Sequence, residues 1–168
     1  MSTPPFEPPE TDSTKHPRPP AGAGSPLRAV LTGAAVDIGG SVLTGVAITV
    51  LYALQLRDQG LSPTELRDAV ANMPHDSALY MTGLLLGLAM SLLGGYVCAR
   101  IARRDEYRAG VAMAILSGVA GLALGGPVTF DEMTALLVLS GAGCNLLGVK
   151  VGVDHNRRLQ APTDAPAP

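Results

Sequence analysis

A chain of 168 residues with 47% apolar and only 15% charged side chains falls well short of the roughly 25% charged residues of an ordinary soluble domain. Its net charge of −2, with no Trp and two Phe, excludes a basic nucleic-acid-binding surface with stacking aromatics. The length suits one domain, and of fourteen acidic residues only Asp37 lies inside a long apolar run.

The chain opens on a proline-rich stretch. Residues 1–26 contain eight prolines and almost no large apolar side chains. Each proline lacks an N–H and clashes with the preceding helical turn, so no helix runs through it. The stretch also lacks the apolar core and cleavage site of a secretory signal. Residues 1–27 therefore read as a disordered cytoplasmic tail. Its proline pairs suit a polyproline-binding partner, but a solvated tail is the simpler reading.

Four apolar stretches follow, at about 28–56, 77–101, 109–127 and 133–153. Each approaches the ~20 helical residues that cross a bilayer core. The second, as far as Ala99, and the third contain no charge, and a soluble bundle would require a polar face on each. Pro127, after Gly125 and Gly126, marks the end of the third. The fourth meets Lys150, whose amine can snorkel to the interface. The expected fold is all-α: a four-helix transmembrane bundle spanning 28–153, followed by a disordered cytoplasmic tail over 154–168.

Between the first two spans lies the one long connection, residues 57–76. Ser62 suits a helix N-cap, Pro63 the first helical position and Glu65 the return bond of a capping box. Leu61 and Leu66 are spaced as a hydrophobic staple, and Leu66, Val70 and Met73 share a face. The expectation is a short amphipathic helix on the outer membrane surface, serving as a lid or partner contact or simply tucked against the bundle.

Basic residues orient the spans. Lys15, Arg18, Arg28, Arg100, Arg103, Arg104, Arg108, Lys150, Arg157 and Arg158 fall on one side; Arg57 and Arg67 fall on the other. Both termini should then be cytoplasmic. The arginine bias and the abundance of Ala and Gly suggest a GC-rich bacterial genome, hence a multi-pass protein of the bacterial inner membrane.

In lipid, helices associate through close backbone approach at small residues. The first span carries Ala29, Gly33, Asp37, Ser41, Gly45 and Thr49 at four-residue intervals; the second carries Gly83, Gly87, Ser91, Gly95 and Ala99. Gly110, Ala114 and Gly118 in the third span and Ser140, Cys144, Gly148 and Gly152 in the fourth repeat the pattern. A shift of 54 residues also superposes Leu92-Leu93-Gly94 on Leu146-Leu147-Gly148 and Arg103-Arg104 on Arg157-Arg158, a hint of duplication in parallel orientation.

Asp37 is the costly residue. An Asp deep in a span opposes insertion by about 2.5–3.5 kcal/mol. It lies nine residues past Arg28, roughly 13 Å of helix rise, on the small-residue ladder. Depth makes Ser91, Ser117 and Asn145 its neighbours in a polar layer, with Arg100 and Lys150 as longer-reaching partners. Such a layer serves either as a proton or cation site or as a structural hydrogen bond that fixes register.

Other candidates are weaker. Cys98 and Cys144 have no metal-ligand spacing and read as apolar fillers. His16 in the N-terminal tail, His75 in the outer loop and His155 in the C-terminal tail lie too far apart in the expected topology to share a metal. No nucleophile–base pair, nucleotide loop or haem motif is present, so neither an enzyme nor a cofactor is expected. Arg100, Arg103, Arg104 and Arg108 suit anionic lipid headgroups, although orientation alone explains them.

The second span ends Gly94-Gly95-Tyr96-Val97-Cys98-Ala99-Arg100-Ile101-Ala102. This resembles small four-span bacterial membrane proteins of uncharacterised function, whose second helix ends in a Gly-Gly-aromatic-x-x-Ala-basic pattern before a short turn. The resemblance covers about residues 28–153 and implies the four-span fold with no catalytic residue. Cys98 and the long outer loop depart from that pattern. The expected role is a non-enzymatic scaffold or accessory subunit, with the bilayer and either a second copy or another membrane protein as partners. The rival is a small oligomeric proton or cation transporter or channel working through Asp37.

Overall fold

The computed structural model describes residues 24–57, 59–124 and 132–160. Among them the chain forms five helices and no strand: α1 (Pro26–Arg57), α2 (Pro63–Ala71), α3 (Ala78–Ala102), α4 (Glu106–Leu124) and α5 (Glu132–Gln160). α1, α3, α4 and α5 are long and apolar enough to cross a membrane. The shortest, α4, has 19 residues, about 28 Å of rise against a hydrocarbon core of ~30 Å. The expected disorder of residues 1–23 and 161–168, and the Pro127 stop, lie outside the described residues.

Local chemistry sets the helix ends. α1 starts at Pro26, two residues inside the expected tail. The Ser25 hydroxyl accepts from the Arg28 N–H at 3.4 Å and Pro26 takes the first helical position, where its missing N–H costs nothing. The α2 capping box forms as its sequence implies: the Glu65 N–H donates to the Ser62 hydroxyl at 3.4 Å, and the Ser62 N–H donates to the Glu65 carboxylate at 2.9 Å. Leu66, Val70 and Met73 are half-buried, and α2 packs back against α1. Ser77 caps α3 by accepting from the Tyr80 N–H at 3.1 Å. The turn from α3 to α4 is tight, with Arg103 (φ 51°) and Asp105 (φ 49°) in the left-handed region.

α5 corrects the expected boundary at 153. Residues 154–160, assigned to a disordered tail, continue the helix. Val153 and Asn156 are buried against the end of α3, which holds the backbone helical beyond the apolar stretch. No proline intervenes before Pro162.

The packing follows from the small residues. α3 lies between α1 and α5 and packs closely on both; α4 completes the bundle against α1, α3 and α5, while α1 and α5 do not meet. Contacts such as Gly33 with Gly94 and Gly83 with Ile48 make α1 and α3 antiparallel. Contacts of Leu92 with Gly148 and of Ala99 with Gly152 and Asn156 make α3 and α5 parallel.

We call the end carrying the start of α1, the α3–α4 turn and the end of α5 the base, and the α2 end the mouth. The buried core sits almost wholly in the base half. One cluster joins Ala29, Ala34, Cys98, Ala102, Ala109 and Met113; the other joins Ala99, Val149 and Val153. A Cβ at Gly95 would strike the Asn145 carbonyl, and one at Gly148 would strike the Leu92 carbonyl. In this half the backbones touch, and only glycine permits that approach. Toward the mouth α1 and α3 stay together, with Ile48 buried over Gly83, but α4 and α5 stand away. Long apolar side chains such as Leu43, Leu85, Ile115 and Leu139 point outward, as a lipid-facing surface requires.

Candidate functional site

The parting of α4 and α5 from α1 leaves a chamber of about 810 Å³ in the mouth half. Asp37, Ser91, Ser117 and Asn145, contributed by four different helices, all line it. They lie where the chamber meets the packed base, as a polar floor. The walls above are mostly apolar or bare, with Val42 and Gly45 on α1, Gly118 and Leu122 on α4 and Leu137 and Gly141 on α5; Ser41 and Thr134 are their polar members. A Cβ built on Gly45, Gly118, Gly121 or Gly141 would meet nothing within 4 Å. These four glycines leave volume in the chamber instead of closing a helix contact.

Each floor residue has a defined setting. Asp37 is 6% exposed, and the Ser91 hydroxyl donates to its Oδ1 at 2.8 Å. The bond crosses from α1 to α3 at the level where a Cβ on Gly94 would meet the Asp37 Cβ at 2.8 Å. Asn145 is 1% exposed. Its amide Nδ2 points at the Met113 sulfur at 3.6 Å, a weak acceptor, and its Oδ1 has no hydrogen-bond partner. The Ser117 hydroxyl is also buried without a partner. Buried polar atoms are nearly always paired, so two orphans on one cavity wall call for an explanation.

No cation among the described residues answers Asp37. Among the described residues it forms no ion pair. Arg100, one of the long-reaching candidates, points elsewhere: its Nη1 donates to Asn156 Oδ1 at 2.8 Å. Lys150, the other, is exposed. Beyond the mouth end of α4, the connection 125–131 lies outside the described residues.

The expected packing glycines divide into two kinds. Gly33, Gly95 and Gly148 sit at close backbone contacts, and Gly83 is against Ile48 at 3.3 Å from a built Cβ. Gly45 and Gly87 have open space instead, so among the described residues no other helix closes on them. Gly94, Gly110 and Gly152 also sit at tight contacts; Gly94 lies between the four-residue steps and a strict ladder passes over it.

A polar clasp at the base is the feature that sequence reasoning missed. Asn156 Nδ2 donates to the Ala99 carbonyl at 3.0 Å while its Oδ1 receives Arg100. Ala99 is in the last turn of α3, where its carbonyl otherwise accepts only the capping Arg103 N–H at 3.3 Å. One step further along the ladder Gly148, Gly152 reaches position 156, which is the signal that would have found it. Beside it the Tyr96 hydroxyl lies 3.1 Å from His155 Nδ1. His75, near the mouth, stacks edge-on against Tyr80 with centroids 4.8 Å apart. Among the described residues no group of His, Cys, Asp or Glu is placed to hold a metal. Cys98 is buried and Cys144 half-buried, both as free thiols. The exposed pair Arg108–Asp105, at 3.8 Å, contributes little. The chain matches no protein-family model, no curated protein and no solved structure.

Proposed function

We propose that this chain is a non-enzymatic integral membrane protein, an accessory subunit whose working part is the one-sided chamber above Asp37. The observation that carries this reading is the floor itself. A purely structural polar layer would satisfy its own hydrogen bonds, whereas here Asn145 Oδ1 and the Ser117 hydroxyl are left over beside a buried carboxyl. The base half closes by backbone contact at Gly95, Gly148 and Gly152, so a single chain offers a place to hold an occupant and no route through. The excess of basic residues at the base supports a reading in which the base is cytoplasmic and the mouth lies outside.

The test is cysteine accessibility in oriented vesicles, on a Cys144→Ser background. Ser41→Cys and Gly118→Cys line the chamber and are expected to react with thiol reagents from the mouth side. A charged reagent confined to the base side should leave them unmodified. Labelling from the base side, or silence toward every reagent, overturns the proposal.

Asp37, without a counter-cation among the described residues, supports a second reading, a proton or cation transporter. It requires the base half to open, or several copies to form the path between them. Ion flux into liposomes that disappears in Asp37→Asn would favour it; equal flux with and without the protein would remove it.

A further inference from the structure

We infer that the chamber is a binding site for an amphiphile with a protonated amine head and an apolar body, the ammonium seated on Asp37, Asn145 and Ser117. This rests on the chamber reading above. The floor lacks what an ammonium supplies. Asp37 holds one neutral donor, Ser91 at 2.8 Å on Oδ1, and no positive charge from the described residues. Asn145 Oδ1 is an acceptor by its chemistry, buried and unused, and the Ser117 oxygen can accept as well. An ammonium brings three donors and one charge; an anion would meet acceptors and a carboxyl.

The remainder of the chamber sets the body. About 810 Å³ lies within the roughly 300–1,000 Å³ of small-molecule sites. Apart from Ser41 and Thr134, its walls present Val42, Leu122, Leu137 and open glycine faces, which suit hydrocarbon. A partner's membrane-spanning helix does not fit, because it would have to run the full bilayer depth. The cavity stops at the floor, below which Gly33, Gly94, Gly110 and Gly148 bring helices into contact. The occupant is therefore short, with its charged end down at the floor and its apolar end toward the mouth.

The experiment uses the full chain in nanodiscs and four probes: decylammonium, decyltrimethylammonium, decanol and potassium ion. Binding is read by native mass spectrometry and by protection of Gly118→Cys from a thiol reagent. Decylammonium should bind saturably and protect. Decyltrimethylammonium, which has charge but no N–H, and decanol, which has no charge, should each bind roughly tenfold or more weakly, the ratio expected when a charge-assisted hydrogen bond is lost. Asp37→Asn should weaken decylammonium to a similar degree. Gly118→Leu, placed where a Cβ meets nothing within 4 Å, should fill the chamber and abolish binding in a bundle that still folds. The paired change Asn145→Leu with Ser117→Ala keeps the floor testable if Asp37→Asn fails to fold.

Equal binding of decylammonium to wild type and Gly118→Leu overturns the site. Equal binding of all three decyl compounds overturns the head-group assignment. Protection by potassium alone replaces the amphiphile with an inorganic cation. If the chamber cysteines are labelled from the mouth side but no amine binds, this inference fails while the chamber reading survives. If they are labelled from the base, the reading beneath it fails first.

Discussion

The Ser91 hydroxyl donates to Asp37 Oδ1 at 2.8 Å, bridging α3 and α1 at the floor of the chamber. Two ranges bound what it contributes. Interhelical hydrogen bonds in membrane proteins average about 0.6 kcal/mol and reach about 1.7, while bonds to charged acceptors in water-soluble proteins reach about 1.5–3. With an almost fully buried carboxyl as acceptor, Ser91→Ala is expected to cost about 1.5 kcal/mol. In a double-mutant cycle with Asp37→Ala, most of that loss should vanish, because the serine then has nothing to serve. Reversible unfolding by steric trapping reads both numbers. A cycle that closes with no coupling would mean that the bond contributes nothing.

Gly148 and Gly141 lie on the same helix and should respond oppositely to one methyl group. A Cβ at Gly148 strikes the Leu92 carbonyl, which is backbone and cannot swing aside; a Cβ at Gly141 enters the chamber and meets nothing within 4 Å. Gly148→Ala is therefore expected to destabilise by the upper part of the about 1–3 kcal/mol range of overpacking. Gly141→Ala should stay within about 0.5 kcal/mol of wild type. Similar losses in both variants would contradict the division of the bundle into a closed base and an open mouth half.

That division is also where sequence reading stops. The spans are legible because bilayer thickness demands length and apolarity, and both are written residue by residue. The α2 helix is legible because Ser62, Pro63 and Glu65 act locally. The shared placement of Asp37, Ser91, Ser117 and Asn145 follows from depth alone, since a straight helix converts residue count into height. What depth cannot give is azimuth. Gly45 and Gly95 sit on equally regular ladders, yet one faces a void and the other a carbonyl, a difference fixed by which helix lies opposite. The same gap hid the destination of Arg100: counting residues put it within reach of Asp37, whereas the rotation of α3 turns it to Asn156.

Asn156 closes the base by a bond that the lipid phase does not enforce. Its Nδ2 serves the Ala99 carbonyl at 3.0 Å and its Oδ1 receives Arg100 at 2.8 Å. Asn156→Ala removes both and leaves the buried Ala99 carbonyl with the Arg103 N–H at 3.3 Å as its inter-residue partner beyond the helix. The expected cost is about 1–3 kcal/mol, that of an underserved buried polar group. The loss should be local: amides of residues 154–160 exchange faster with solvent while those of α1 and α3 keep their protection. Asn156→Asp, which retains an acceptor for Arg100 but loses the amide donor, should recover part of the protection. Uniform protection in all three forms would mean that α5 needs no clasp to stay helical past Val153.

Glu65 makes α2 sensitive to acid. The Ser62 hydroxyl donates to its carboxylate at 2.7 Å and the Ser62 N–H donates at 2.9 Å. These two bonds, the hydroxyl's first, hold the Glu65 carboxyl below its ordinary 4.5 against a smaller opposing effect of burial. A carboxyl whose folded value is depressed binds its proton less readily in the helix than in the coil. Its contribution to α2 is therefore fully present above about pH 4.5 and is lost as the pH falls through the lower, folded value. Acidification should fray residues 63–71 while the spans stay folded, visible as loss of helical chemical shifts in α2 alone. Glu65→Gln keeps an acceptor without the charge, so its α2 should be somewhat weaker at neutral pH and show no acid step of this origin. Ser62→Ala removes the hydroxyl that does most of the lowering, and the remaining step should move toward pH 4.5. An α2 that melts at the same pH in all three proteins would place the acid sensitivity elsewhere.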